Sequence, residues 1–107
     1  MSDAPKGIEP RFDELIHAPT RLSIVALLAA SQWAEFTFVR DSLGMSDSAL
    51  SKQVSTLEEA GYVTVRKTGA GRNRRTHLRL SPRGRRAFDG HAVALQQIIA
   101  NAGAHAP

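Results

Sequence analysis

The chain of 107 residues contains no cysteine, which excludes disulfide frameworks, thiolate metal sites and thiol-based redox switches. Its apolar residues never form a run long enough to cross a bilayer, and residues 1–10 lack the apolar segment of a secretory signal. We therefore expect a cytoplasmic protein with no membrane partner. No cofactor is expected either, because no residue pattern requires one.

Catalytic motifs are also missing from the sequence. It has no glycine-rich phosphate loop and no paired-carboxylate arrangement. Its Ser, His and Asp residues do not occur within a sequence motif of a known catalytic triad. We therefore predict that the chain is not an enzyme. Its length and lack of internal repeats indicate one domain at residues 10–100, with a disordered tail at 1–9 and a frayed tail at 101–107.

Acidic residues are absent from one long stretch of the chain. No Asp or Glu occurs between Glu59 and Asp89, while residues 66–86 contain nine Arg and Lys side chains. The formal charge of the whole chain is only +4, so the asymmetry along the sequence is larger than the net value indicates. Such a region is typical of a surface that binds a polyanion.

Residues 45–65 contain a helix with a recognisable start, buried face and end. Ser46 or Asp47 can accept hydrogen bonds from first-turn N–H groups, and Gly61 supplies the left-handed residue that ends a helix. The pattern predicts a helix at residues 48–60. Its apolar residues recur at i, i+4 and i+7 and form one buried stripe: Leu50, Val54 and Leu57.

The opposite face of this helix carries short polar side chains, so it can approach another surface closely while offering several hydrogen bonds. These properties suit the major groove of DNA. The candidate groove contacts are Ser46, Ser48, Ser51, Lys52, Gln53, Ser55 and Thr56. For an isolated helix a solvated face would be the simpler interpretation, but the flanking elements favour groove contact.

A helix precedes this segment and a hairpin follows it. An apolar helix at 20–30, a very short strand at 35–37 and a helix at 38–43 lead into helix 48–60, which predicts a helix-turn-helix. The alternating segments that follow predict two strands, joined by a cationic hairpin or wing at 68–75. The predicted wing contacts with phosphates or the minor groove are Arg66, Lys67, Arg72, Arg74 and Arg75.

A last helix follows the hairpin, with Ser81 as its cap and Pro82 at its first position. It is predicted at about residues 82–100, where the rest of the fold is already complete, and it carries an apolar stripe. In a chain this small, such a stripe fits a second copy better than its own core. The predicted interface of a homodimer contains Phe12, Leu15, Ile16, Phe88, Ala92, Leu95 and Ile99.

The segments SDSALSKQVSTLEEAGYVTVRK and GRNRRTHLRLSPRGRRAF resemble the winged helix-turn-helix of MarR-type and ArsR-type bacterial transcriptional regulators. The shared features are the helix end at 57–63, the Arg-rich wing at 72–75 and the start of the last helix at 80–84. The resemblance implies an α+β, mainly α fold with terminal dimerisation helices. It also implies a dimeric regulator that binds double-stranded DNA in the nucleoid, and repression is preferred because occupancy alone can block a polymerase.

Two alternatives stay open from the sequence alone. A winged-helix protein-interaction module is one, although it would not need an Arg-rich stretch without acids. A sensor gated by a metal or a small molecule is the other, but the spacing of His91 and His105 does not fit the metal site of ArsR-type sensors. No metal site is therefore predicted. An effector is conceivable but unsupported, since lone aromatics such as Trp33 and Tyr62 more often fill a core.

Overall fold

The computed structural model describes residues 7–104, so residues 1–6 of the tail predicted at 1–9 and residues 105–107 of the tail predicted at 101–107 lie outside the described residues. In chain order its elements are α1 (Glu14–His17), α2 (Pro19–Ala29), β1 (Ala34–Glu35), α3 (Phe36–Leu43), α4 (Asp47–Glu59), β2 (Val63–Thr68), β3 (Arg75–Leu80) and α5 (Pro82–Ala104). The predicted α+β, mainly α fold with a small antiparallel hairpin is therefore confirmed.

The helix α4 begins and ends at the residues whose chemistry predicts its caps. The Ser46 hydroxyl accepts a hydrogen bond from the Ala49 N–H at 3.1 Å. Beyond the other end, Gly61 adopts the left-handed conformation with a φ of 80°. The helix spans Asp47–Glu59, one residue earlier at each end than predicted. It buries the predicted apolar stripe: Leu50, Val54 and Leu57.

The helix α2 lies at the centre of the buried core. Its residues Ile24, Val25 and Leu28 are completely buried. The other members of the same cluster come from α3, α4 and all three strands: Ala34, Val39, Leu50, Val54, Leu57, Val63, Leu78 and Leu80. Because burying apolar surface contributes about 25 cal/mol per Å², this cluster, more than helix propensity, fixes the position of α4.

The strands form one antiparallel sheet in the order β1, β3, β2. Val63 pairs with Leu80 and Val65 pairs with Leu78, and all four pack in or against the core cluster. Side chains alternate along a strand, so the exposed Arg79 lies on the opposite face of the sheet. The sheet therefore has one face that packs on the helices and one face that is open to solvent.

Two further element boundaries differ from the sequence prediction by more than one residue. The strand predicted at 35–37 is wrong at its last two residues, because Glu35 is the extended N-cap of α3 and Phe36 already belongs to that helix. The frayed tail predicted at 101–107 is wrong for residues 101–104, because α5 continues to Ala104. Residues 96–102 contain no glycine or proline that would end the helix earlier. No helix within residues 7–104 is both long enough and apolar enough to span a membrane.

Candidate nucleic-acid interface

The outward face of α4 presents short polar side chains to solvent. Ser48, Ser51, Lys52 and Ser55 are exposed along the first three turns of the helix. A serine hydroxyl can donate and accept hydrogen bonds, and Lys52 adds three donors and a positive charge. This arrangement can meet base edges and phosphates without a bulky side chain that would hold the helix away from them.

Four of the residues predicted to contact the groove also make side-chain hydrogen bonds within the chain, and two of them, Ser46 and Ser48, have hydroxyl oxygens 3.4 Å apart. Ser46 caps α4, and the Thr56 hydroxyl donates to the Lys52 carbonyl at 3.2 Å. The Gln53 side-chain oxygen accepts a hydrogen bond from Arg21 on α2 at 3.1 Å. The Gln53 bond joins α4 to α2 and the other bonds lie at the start of α4 or within it, so the freely exposed polar set is smaller than the sequence predicts.

The turn between α3 and α4 is clamped by Arg40, which the sequence analysis did not identify. Its guanidinium lies 2.8 Å from the carboxylates of both Asp41 and Asp47. The hydrogen bond with Arg40 lowers the pKa of the Asp41 carboxyl, and the bonds to Asp41 and then Asp47 raise the pKa of the Arg40 guanidinium. Because Arg40 lies on α3 and Asp47 is the first residue of α4, this ion pair joins the two helices across the turn.

The wing turns through a short 3-10 segment at Gly71–Asn73. Gly69 has a φ of 75°, and a Cβ at that position would overlap the backbone carbonyl of Asn73. A glycine is therefore required for this turn. At the tip, Arg72 and Arg74 are exposed and form no ion pair with any residue of the described chain. Their guanidinium groups are thus available to an external anion.

Arg75 lies at the base of the tip and is less available than its neighbours. Its Nε atom is 3.6 Å from the Glu35 carboxylate on β1, and Nε2 of His77 is 3.9 Å from the same oxygen. The sequence predicts Arg75 as a wing contact alongside Arg72 and Arg74. The sheet pairing explains the difference, because Glu35 lies directly opposite His77 in the register of β1 and β3.

Arg66 and Lys67, which were predicted as neighbouring DNA contacts, lie on opposite faces of the hairpin. Lys67 lines a groove of about 380 Å³ between the sheet and α4, which also contains Ser51 and Ser55. Arg66 instead stacks on Trp33, with its Cζ atom 4.2 Å from the ring centroid. Only Lys67 therefore shares a surface with the exposed face of α4.

Comparison with known protein families assigns this fold. Residues 20–99 match the family model described as winged helix DNA-binding domain. The chain belongs to the winged helix DNA-binding domain family. An uncharacterized protein of Methanocaldococcus jannaschii is 26% identical over 88 residues, which cover 82% of this chain and 96% of that protein.

Solved structures of similar proteins share the winged-helix fold. The transcriptional regulator homologue protein from Pyrococcus horikoshii OT3 has a TM-score of 0.79 at 23% identity, over 84% of this chain and 89% of that chain. The PcaV transcriptional regulator from Streptomyces coelicolor has a TM-score of 0.70 at 22% identity, over 90% of this chain and 67% of that one. The predicted resemblance to winged-helix regulators is confirmed, and the finer choice between MarR-type and ArsR-type groups stays a prediction.

A hydrogen-bonded cluster joins α1 of this winged-helix domain to α5 and to the end of α4. His91 is completely buried and accepts a hydrogen bond at Nδ1 from the Asp13 N–H at 3.0 Å. The Asp13 carboxylate accepts a hydrogen bond from the Tyr62 hydroxyl at 2.6 Å, which raises the pKa of the phenol. His91 is therefore covered by its own chain, and its ring is held between α1 and α5.

A cleft of about 720 Å³ lies beside this cluster. Three cationic side chains, Arg11, Arg83 and Arg86, line it together with the Tyr62 ring. Asp13 and Glu14 also lie along the cleft, so it is a mixed polar surface with an excess of guanidinium groups. Among residues 7–104, no three His, Asp or Glu side chains converge in a way that could hold a metal ion.

The predicted dimer residues divide into two groups. Ile16 is completely buried within its own chain, so the structure contradicts its prediction as a dimer contact. Leu15 and Phe88 pack against the core but are only half-buried, so their place in the interface stays a prediction. These apolar residues fold α1 and α5 onto their own chain. The end of α5 is different, because Ile99 is 70% exposed and Ile98 is 52% exposed. Ala92 and Leu95 are half-buried on the same helix, and Phe12 is 40% exposed.

Proposed function

We propose that this protein is a sequence-specific regulator that binds double-stranded DNA, with α4 in the major groove and the wing on phosphates or in the minor groove. The observation that carries this proposal is the shared surface of two elements. Ser51, Ser55 and Lys67 line one groove, with Asp47 and Glu58 at its α4 side, and the wing beyond it ends in Arg72 and Arg74, which form no ion pair within residues 7–104. A polar reading helix beside a cationic hairpin suits base recognition with phosphate anchoring.

The contact residues follow from the side of the sheet on which each one lies. We assign base and phosphate contact to the exposed positions on the α4 side and at the tip: Ser48, Ser51, Lys52, Ser55, Lys67, Arg72 and Arg74. Ser46, Gln53, Thr56 and Arg75 support these positions from within the fold. Arg66 is removed from the set, because its guanidinium lies on the opposite face against Trp33.

The proposed assembly is a homodimer that represses transcription. Exposed isoleucines at the end of α5 support a contact between two copies, since a projecting apolar helix end is unfavourable in water. Two reading helices related by a two-fold axis would contact half-sites about 10 bp apart. A dimer bound to such a site can block a polymerase by occupancy, which requires no further contact surface.

The test is to select bound fragments from the host genome at low and at moderate salt. A regulator enriches discrete sites that survive moderate salt, whereas uniform binding that disappears with salt would refute sequence specificity. The double variant Lys52→Ala/Ser55→Ala should lose about tenfold or more in affinity for an enriched site. The matched control Gln96→Ala, on the exposed surface of α5, should bind like the wild type.

A second candidate function is regulation by a small organic anion in the cleft beside Tyr62. The three arginines of this cleft and the aromatic ring favour a ligand with a carboxylate and an apolar ring. The PcaV structure contains that protein's natural ligand, so a protein of this fold can hold a ligand. Benzoate should release the wild type from an enriched site, while neutral benzamide and the variant Arg83→Gln/Arg86→Gln show no release. Equal behaviour of benzoate and benzamide would exclude this function.

A further inference from the structure

The outer face of the sheet carries an indole ring with two guanidinium groups on it. Cζ of Arg66 lies 4.2 Å from the Trp33 ring centroid, and Cζ of Arg79 lies 4.6 Å from it. Arg66 belongs to β2 and Arg79 to the adjacent strand β3, while Trp33 lies just before β1. Three separate segments of the chain therefore converge on one surface, which we call the Trp33 face.

The Trp33 face holds two positive charges without a carboxylate partner in the described chain. The nearest acid of the sheet, Glu35, lies beside Arg75 and His77 instead. Two adjacent guanidinium groups repel each other, and stacking on the ring compensates only part of that cost. External carboxylates on these groups would offset the repulsion, and stacking on the ring already restricts both guanidinium groups in position.

We infer that the Trp33 face is a docking surface for an acidic segment of a second protein. Tryptophan and arginine are the residues most enriched among energetically dominant positions of protein interfaces. Carboxylates match guanidinium groups in shape and charge, and an extended acidic segment could place side chains on both arginines.

The position of the face favours a protein over DNA as the partner. Strand alternation places Lys67 and the exposed serines of α4 on one side of the hairpin, and Arg66 and Arg79 on the other. A duplex bound along α4 would leave the Trp33 face uncovered. This step rests on the proposed function, and a regulator held on DNA in this way could present the face to an acidic partner.

The test uses the full chain and a short synthetic peptide in which Glu alternates with Ala. Trp33 is the only tryptophan, so its fluorescence reports directly on this surface. The acidic peptide should change the Trp33 emission in a saturable way, and a peptide with Gln in place of Glu should not. The variant Arg66→Gln/Arg79→Gln should bind the acidic peptide about tenfold more weakly, as expected when two charged contacts are removed.

The matched control is Arg72→Gln/Arg74→Gln, which removes the same charge from the wing tip. It should bind the peptide like the wild type and lose affinity for duplex DNA. The Arg66→Gln/Arg79→Gln variant should instead lose affinity for the peptide and bind duplex DNA like the wild type. Equal peptide binding by the Arg66/Arg79 variant and the wild type would overturn the inference. Loss of duplex affinity in that variant with no loss of peptide binding would also overturn it and would make the face a DNA contact. Failure to enrich genomic sites would refute the proposed function without changing the peptide result.

Discussion

Nδ1 of His17 lies 3.3 Å from Nε2 of His91, so two imidazole rings from α1 and α5 meet through their ring nitrogens. The other nitrogen of His91 accepts a hydrogen bond from the Asp13 N–H. A nitrogen that accepts a hydrogen bond carries no proton, so neutral His91 holds its proton on Nε2 and donates it to His17. A second proton on His91 would occupy Nδ1. The Nδ1–H group and the Asp13 N–H would then point at each other, and the hydrogen bond between them would be lost.

This arrangement predicts that the protein loses stability as the pH falls through about 6.5, the ordinary pKa of histidine. Burial and then the neighbouring His17 lower the pKa of His91, so the unfolded chain binds a proton there that the folded chain does not. The stabilising contribution is therefore complete above about pH 7 and decreases below it. The urea midpoint, followed by circular dichroism, should fall between about pH 7 and pH 5.

The variant His91→Asn isolates this effect, because an asparagine oxygen can still accept the Asp13 N–H bond but has no titrating group. Its urea midpoint should depend less on pH over the same interval than that of the wild type. An unchanged pH dependence in His91→Asn would show that other groups cause the acid sensitivity.

A buried glycine at the start of α5 should not tolerate a methyl group. A Cβ on Gly84 would overlap the backbone carbonyl oxygen of Tyr62, which already accepts a hydrogen bond from the Ser81 N–H at 2.9 Å. Gly84→Ala should therefore lower the free energy of unfolding by about 1–3 kcal/mol or more. Gly103→Ala is the matched control, because no atom lies near its Cβ position and alanine favours the helix by up to about 0.5 kcal/mol. Similar thermal midpoints for the two variants would contradict this steric explanation.

The features that the sequence predicted well depend on residues close together in the chain. The cap at Ser46, the left-handed Gly61 and the buried stripe of α4 all follow from local spacing. The separation of Arg66 from Lys67 could also have been predicted, because adjacent residues of a strand point to opposite faces. The basic residues at 66–86 therefore do not form one continuous surface, although they are close together in the sequence.

The features that the sequence did not predict depend on contacts between distant residues. Arg21 on α2 binds Gln53 on α4, and Asp13 binds His91 across 78 positions of the chain. Arg40 reaches Asp47 across a turn, for which no helical spacing rule applies. The burial of Ile16 likewise depends on how α1 packs, so a local apolar pattern could not separate core from dimer interface.

Salt dependence should report the phosphate contacts of the wing. If each subunit neutralises about three phosphates, the logarithm of the binding constant should fall with a slope near −5 against the logarithm of salt concentration. Removing Arg72 and Arg74 in both subunits should reduce the magnitude of the slope by roughly 3 to 4, since each contact contributes about 0.9. The measurement is a titration of an enriched duplex at several salt concentrations. A slope that is unchanged in Arg72→Gln/Arg74→Gln would place the phosphate contacts elsewhere.

The exposed end of α5 predicts the oligomeric state. Ile99 is 70% exposed in the single chain, and its burial against a second copy would contribute about 1.5–3 kcal/mol per subunit. Ile99→Glu would place a charge in that apolar contact and should raise the dimer dissociation constant by about a hundredfold or more, measured by sedimentation equilibrium. Gln97→Glu adds the same charge at an exposed neighbouring position and should keep the assembly of the wild type. A wild type that sediments as a monomer would refute the dimer. If Ile99→Glu and Gln97→Glu raised the dimer dissociation constant equally, the added charge and not the loss of buried apolar surface would explain the change.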